Sequence, residues 1–324
     1  MRTLGWALAA LVALVVPLLL PNPYYLHVIG GAYITGIAVY ALNVIVGFGG
    51  LLNLGNAAFF GIGAYGVALL EMKAGWPFWP ALLAGCAMSA GLGALVGMIS
   101  LRTRGNYFAI LTAAIGVIIY VVFSKWQDLT NGDIGIVSIP PATLGSFALS
   151  SNVSKYYFAL AALAVAILVT TAVRYSLFGR SLIGIADNEN LARAAGIDAT
   201  RVKLIAFVTS TSLAGFAGGI SAAFMGTLGP NATGIDLTFE QLLYLVVGGI
   251  GTLAGPLIGT LLLTGLTQWL QFLEQYRFLV FGPLLVVLVL FFPHGIAGAY
   301  ARLTARGRER RAQPVAAATE IAAP

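Results

Sequence analysis

The stretch Asn106-Tyr-Phe-Ala-Ile-Leu-Thr-Ala-Ala-Ile-Gly-Val-Ile-Ile-Tyr-Val-Val-Phe-Ser124 decides the fold class. It holds no Asp, Glu, Lys, Arg or His, and as an α-helix it would extend about 28 Å, close to the ~30 Å hydrocarbon thickness of a bilayer. Similar runs recur along the chain, broken by Gly, Pro or charged residues. They predict helices near 4–20, 26–46, 57–72, 79–100, 106–124, 156–174, 204–226, 239–251, 255–272 and 278–293. The pair around Gly248 to Pro256 is short and reads either as two spans or as one broken element. With 59% hydrophobic and only 9% charged residues, the 324-residue chain is excluded from the soluble globular class. The expected fold is an all-α integral membrane protein of about ten transmembrane helices.

Working outward from the spans, the basic residues report orientation. With the N-terminus inside, thirteen fall on the cytosolic side (Arg2, Arg102, Arg104, Arg174, Arg180, Arg193, Arg201, Lys203 and the five arginines after Ala301) and four outside (Lys73, Lys125, Lys155, Arg277). The net charge of +6 is therefore a topology signal rather than a nucleic-acid surface. Ten crossings leave both termini cytosolic, with residues 1–300 as the transmembrane domain. Two polar segments exceed simple turns: 125–155, expected outside, with turn residues Asn131-Gly132-Asp133, and 175–203, expected inside. Residues 301–324 read as a basic, then disordered, cytosolic tail. The apolar run Leu4 to Leu20 resembles a signal peptide, but Pro21-Asn22-Pro23 offers no small-residue cleavage site, so it is expected to stay as the first helix.

The charged groups that spans usually keep for ion coupling are missing. No Asp, Glu, Lys or Arg lies near the middle of a predicted span, which argues against a proton- or ion-coupled carrier or a channel, and places the energy source elsewhere. The sequence has no Gly-Lys pair, hence no phosphate-binding loop of its own. His27, His294 and the lone Cys86 form no metal-ligand cluster, and no catalytic group of side chains marks an enzyme. Pairs such as Gly93/Gly97, Gly215/Gly219 and Gly251/Gly255/Gly259 predict close helix packing.

Two stretches carry the functional signal. The first is Ser176-Leu-Phe-Gly-Arg-Ser-Leu-Ile-Gly-Ile-Ala-Asp-Asn-Glu-Asn-Leu-Ala-Arg-Ala-Ala-Gly-Ile-Asp-Ala-Thr-Arg-Val-Lys203. Asp187 as N-cap, Glu189 at the positive helix end and Gly196 beyond the C-terminus predict a helix over 188–195, with Asp198 or Thr200 capping the next span. Ala192 and Ala195 would give this helix a small-residue docking face. The second is Gly47 to Gly66, whose glycines, with Asn53 and Asn56 among them, predict a helix break at membrane depth, where freed backbone groups must face protein or a wet cavity. Tight packing around the glycines is the alternative reading.

The first stretch resembles the cytosolic coupling segment of the M-type permease subunits of branched-chain amino-acid ABC importers, the LivM family. Gly50 to Tyr65, Leu101 to Thr112, Leu129 to Gly135, Val247 to Pro256 and Phe292 to Gly298 resemble further motifs of that family in the same order. The resemblance implies a type II ABC-importer-like fold in the bacterial inner membrane. It also implies a sister permease, two cytosolic ATPase subunits that use ATP and Mg, and a periplasmic solute-binding protein, with no cofactor in this chain. Coupling residues would be Arg180, Asp187, Asn188, Glu189, Ala192, Arg193, Ala195 and Gly196. The solute pathway would run past Asn53, Asn56, Phe59, Phe60, Tyr65, Tyr107 and Thr112. Asn53-Leu-Gly-Asn56 and Thr130-Asn131-Gly132 depart from the family pattern, which leaves urea or another small amide or carboxylic acid as rival substrates to branched-chain amino acids.

Overall fold

A computed structural model describes residues 11–18, 22–103, 105–144, 147–269 and 295. The expected helix at 278–293 and the tail 301–324 lie outside the described residues, as does most of the expected helix at 4–20. Helix α1 spans Pro23–Leu42, started by Asn22, whose Oδ1 accepts the Tyr24 N–H at 3.0 Å. It runs on as a π-helix, Asn43–Phe48, and the chain then leaves helical geometry until α2, Asn56–Met72. Next come α3, Phe78–Ser100, and α4, Asn106–Lys125. The described residues of 126–151 hold only short elements, a helical turn Gln127–Thr130, a 3-10 turn Gly132–Ile134 and two-residue strands, with Asn131 in the left-handed region at the expected turn. Strand Ile136–Val137 pairs antiparallel with Thr227–Leu228, fastening this segment to the end of a later helix. Then follow α5, Asn152–Tyr175; α6, Leu177–Asp187; α7, Glu189–Ala194; α8, Ala199–Met225; α9, Ile235–Gly248; and α10, Gly255–Trp269.

The arrangement is an all-helical bundle sorted by burial. Among the described residues five helices are long and apolar enough to cross a membrane: α1 with its π extension, α3, α4, α5 and α8. α1, α2 and α8 form the interior; every residue of α1 from Gly36 to Leu42 is buried, as is α2 from Asn56 to Ala68. By contrast α3, α4 and α5 bury one stripe and expose Leu83, Ile99, Ile110, Ile118 and Leu168, a surface suited to lipid or a partner rather than water. α9 is a short helix of 14 residues, about 21 Å long, and packs against α10, which is described over Gly255–Trp269.

Glycine contacts set these distances, as the small-residue pairs predict. A Cβ on Gly63 of α2 would lie 2.1 Å from the Gly215 carbonyl of α8, and one on Gly218 would lie 1.8 Å from the Phe60 carbonyl. Between α9 and α10, a Cβ on Gly259 would sit 2.0 Å from the Tyr244 carbonyl. Backbones can meet this closely only where no side chain intervenes, which is how helices associate when lipid removes the hydrophobic drive.

Candidate functional site

The segment between α5 and α8 is more helical than its sequence suggests. Ser176 adopts an extended backbone, and its Oγ accepts the Gly179 N–H at 3.0 Å, which turns the chain sharply out of α5. A Cβ at Gly179 would stand 2.0 Å from the Val173 carbonyl, so the corner needs glycine. α6 follows, burying Gly179, Leu182 and Ile185 along one face. Gly179 and Gly184 mask this helix in sequence because each lowers intrinsic helicity, while the buried face stabilises it only once folded.

The cap assignment is corrected by one residue. Asp187 is the last residue of α6 and is still helical, whereas Asn188 is extended and its Oδ1 accepts the Leu191 N–H at 3.0 Å. Hence α7 is Glu189–Ala194 rather than 188–195. At its end the Gly196 N–H donates to the Arg193 carbonyl and the Ile197 N–H to the Ala192 carbonyl, at 3.0 and 3.1 Å, with Gly196 at φ +84°. That is a Schellman termination, and Gly196 fills its left-handed position as expected. Asp198 then caps α8 through the Arg201 N–H at 3.1 Å.

Glu189 organises the electrostatics. Its Oε1 accepts from Arg193 and its Oε2 from Lys203 of α8, both at 2.7 Å, and chiefly the Lys203 bond holds its carboxyl below the ordinary value of 4.5. Ala192 faces inward against Ile185 and Ala199, so it seats α7 on α6 and α8 instead of forming an outer face. The outward surface is Leu191, 69% exposed, with Arg193, Ala194 and Ala195, and Arg180 of α6 is exposed nearby in sequence.

Of the stretch Gly47 to Gly66 expected to be broken, only Gly49–Gly55 leaves helical geometry, since α2 is helical from Asn56 onward through Gly61, Gly63 and Gly66; the non-helical part and the start of α2 bury amide side chains. Asn53 Oδ1 accepts the Gly55 N–H at 3.0 Å, and Asn56 Nδ2 donates to Gln241 Oε1 of α9 at 2.7 Å and to the Ala38 carbonyl at 3.2 Å. Thr112 of α4 accepts the Leu54 N–H at 3.1 Å, and Thr238 accepts the Ala57 N–H at 3.0 Å. Asn53 Nδ2 and Asn56 Oδ1 are buried without a hydrogen-bond partner among the described residues. Orphaned amide atoms at 0% exposure are costly in a packed interior.

Residues 24–290 match the profile of a family described as the permease component of branched-chain amino acid transport systems. The chain belongs to this family. The chain is 31% identical over 278 residues to the high-affinity branched-chain amino acid transport system permease protein LivM of Salmonella typhimurium and, at the same identity, to LivM of Escherichia coli. Each match covers 79% of this chain and 65% of the LivM protein. LivH of Escherichia coli is 25% identical over 277 residues, covering 79% of this chain and 88% of LivH. No solved structure matches significantly. The family is one of transport permeases, in keeping with several membrane-length helices.

The break brings Asn53, Asn56 and Thr112 together. The aromatic candidates are placed differently. Phe59 packs edge-on against Phe207 at 5.6 Å, Phe60 is buried, and Tyr65 stacks on Phe123 at 4.3 Å, all within the core. Tyr107 is 73% exposed near the start of α4 and makes none of the contacts of the break. Sequence reasoning missed Thr238 and Gln241, whose signal is a polar pair three residues apart at the edge of an apolar run. It also missed Asn43 and read Arg174 and Lys203 as topology charges alone.

Proposed function

We propose that this chain is one of two permease subunits of a bacterial ATP-driven importer for branched-chain or related amino acids. It sits in the inner membrane with ten crossings and both termini cytosolic, 125–155 periplasmic and 175–203 cytosolic. The thirteen-to-four distribution of basic residues supports that orientation. The names of the LivM and LivH relatives support pairing with a sister permease and handling of branched-chain amino acids. ATP and Mg belong to two partner ATPases, and a periplasmic binding protein delivers the solute.

The observation that carries this reading is the α6–α7 unit: two capped helices, internally tied, presented between two membrane-length helices with an apolar Leu191 exposed on the outer face. In the proposed cycle, ATP closes the ATPase dimer and α6–α7 moves with it as a rigid element. The attached helices rock, and the solute passes the polar break at Asn53 and Asn56.

The test is uptake of labelled leucine by proteoliposomes holding this chain with its sister permease, ATPases and binding protein. ATP-dependent accumulation competed by isoleucine and valine is expected. Uptake that ignores ATP and collapses with a proton ionophore would overturn the reading in favour of an ion-coupled carrier.

A further inference from the structure

One backbone residue is gripped from two helices. The Gly251 N–H donates to Asn43 Oδ1 at 2.9 Å, and the Gly251 carbonyl accepts Arg174 Nη1 at 2.7 Å. Asn43 Nδ2 also donates to the Thr252 carbonyl at 2.8 Å, so its carboxamide binds the turn between α9 and α10 at two points, as a backbone peptide would. Tyr40 OH adds a bond to the Leu253 carbonyl at 2.7 Å. Asn43 is fully buried and opens the π-helix, a geometry that is rare and frequent at functional positions. Approach is close because Gly47 has no side chain: a Cβ there would meet Asn43 Oδ1 at 2.0 Å and the Gly251 nitrogen at 2.7 Å.

Arg174 stands two residues before the Ser176 corner that starts α6. Its guanidinium also lies over the Phe48 ring, 5.5 Å from the centroid, at the last residue of the π-helix. Beyond Phe48 the chain touches α6 again: a Cβ on Gly50 would lie 3.1 Å from Ala186 Cβ, and one on Gly49 would lie 3.4 Å from Leu182 Cδ1. The π-helix is thus joined to the α5–α6 corner by Arg174 and to α6 by packing, and the next residues are the break that carries Asn53 and Asn56.

We infer that Arg174 and Asn43 are positioning residues of the transport cycle, which fasten the π-helix and the α9–α10 turn to α6 and so transmit displacement of α6 to the polar break. The inference rests on the proposed import function. Arginine is suited to the task because its planar fork serves a carbonyl and an aromatic face together, which an ammonium does less well. Rigid, satisfied contacts at both ends are what a displacement needs if it is to travel rather than dissipate.

The experiment is the ratio of leucine imported to ATP hydrolysed in the complete reconstituted complex. Arg174→Gln should keep ATP hydrolysis within twofold of wild type while import per ATP falls at least tenfold, and Arg174→Lys should recover part of the ratio. Asn43→Asp, which keeps the acceptor for Gly251 but loses the donor for Thr252, should lower the ratio less than Arg174→Gln. A ratio unchanged in Arg174→Gln, or a loss of import and hydrolysis in equal proportion, would overturn the inference. Failure of the wild-type complex to import with ATP would instead overturn the proposed function, so the two outcomes are distinct.

Discussion

The Glu189 carboxylate bridges two cations on different helices, Arg193 four residues along α7 and Lys203 on α8, each at 2.7 Å. Without Lys203, α7 would be fixed to the rest of the chain mainly by the small apolar contacts of Ala192 with Ile185 and Ala199. Partly exposed ion pairs contribute about 0.2–1 kcal/mol, and the more buried Lys203, at 14% side-chain exposure, favours the upper part of that range. Glu189→Gln should therefore speed hydrogen exchange of the α7 amides about three- to fivefold. Equal exchange in mutant and wild type would remove the bridge from the account.

The same carboxylate sets a pH dependence. Because its folded-state value lies below 4.5, the stabilisation is present above about 4.5 and is lost as pH falls through the lowered value. Protection of the α7 amides should hold steady from pH 7 to 5 and weaken only in more acidic buffer, in wild type but not in Glu189→Gln. A midpoint near neutrality would contradict the assignment.

Capping separates two adjacent residues. Asn188→Ala removes the acceptor for the Leu191 N–H and should destabilise α7 by about 1 kcal/mol, read as about fivefold faster local exchange. Asp187→Ala should have little effect or a slightly stabilising one, since a carboxylate at the end of α6 opposes the helix dipole. The reverse order would restore Asp187 as the cap.

At the break, Asn56→Leu removes the donor for Gln241 Oε1 and leaves that oxygen buried without its partner, at about 1–3 kcal/mol. Transport should slow and the melting temperature fall. Adding Gln241→Leu should return much of the stability but not the transport, if the amides serve the solute. Recovery of both would reduce the cluster to packing.

The sequence is most legible where a single segment determines the outcome. Nineteen uninterrupted uncharged residues between Asn106 and Ser124 can only be helix in lipid, and α4 is Asn106–Lys125. Glycine density points to a break within Gly47 to Gly66 but not to its bounds, because Gly49, Gly50 and Gly55 lie in the non-helical stretch while Gly61, Gly63 and Gly66 are carried by α2 through its packing. What depends on a distant partner stayed hidden. α6 owes its helicity to a buried face, the π-helix to a turn about two hundred residues away, and Lys203 its role to a carboxylate fourteen residues earlier. Ala192 reads as an outer residue in the sequence because a small side chain suits docking and inward seating equally; only its neighbours Ile185 and Ala199 decide between them.

The central claim is that the α6–α7 unit is the contact between this permease and its ATPases. A photo-crosslinking amino acid at Leu191, 69% exposed on α7, tests it in intact cells expressing the full transporter, with the same probe at Trp126, 51% exposed at the other end of the bundle near α4, as the control. The account predicts a crosslink from position 191 to an ATPase subunit and none from position 126. No ATPase adduct at 191, or an adduct at 126 in its place, would contradict it.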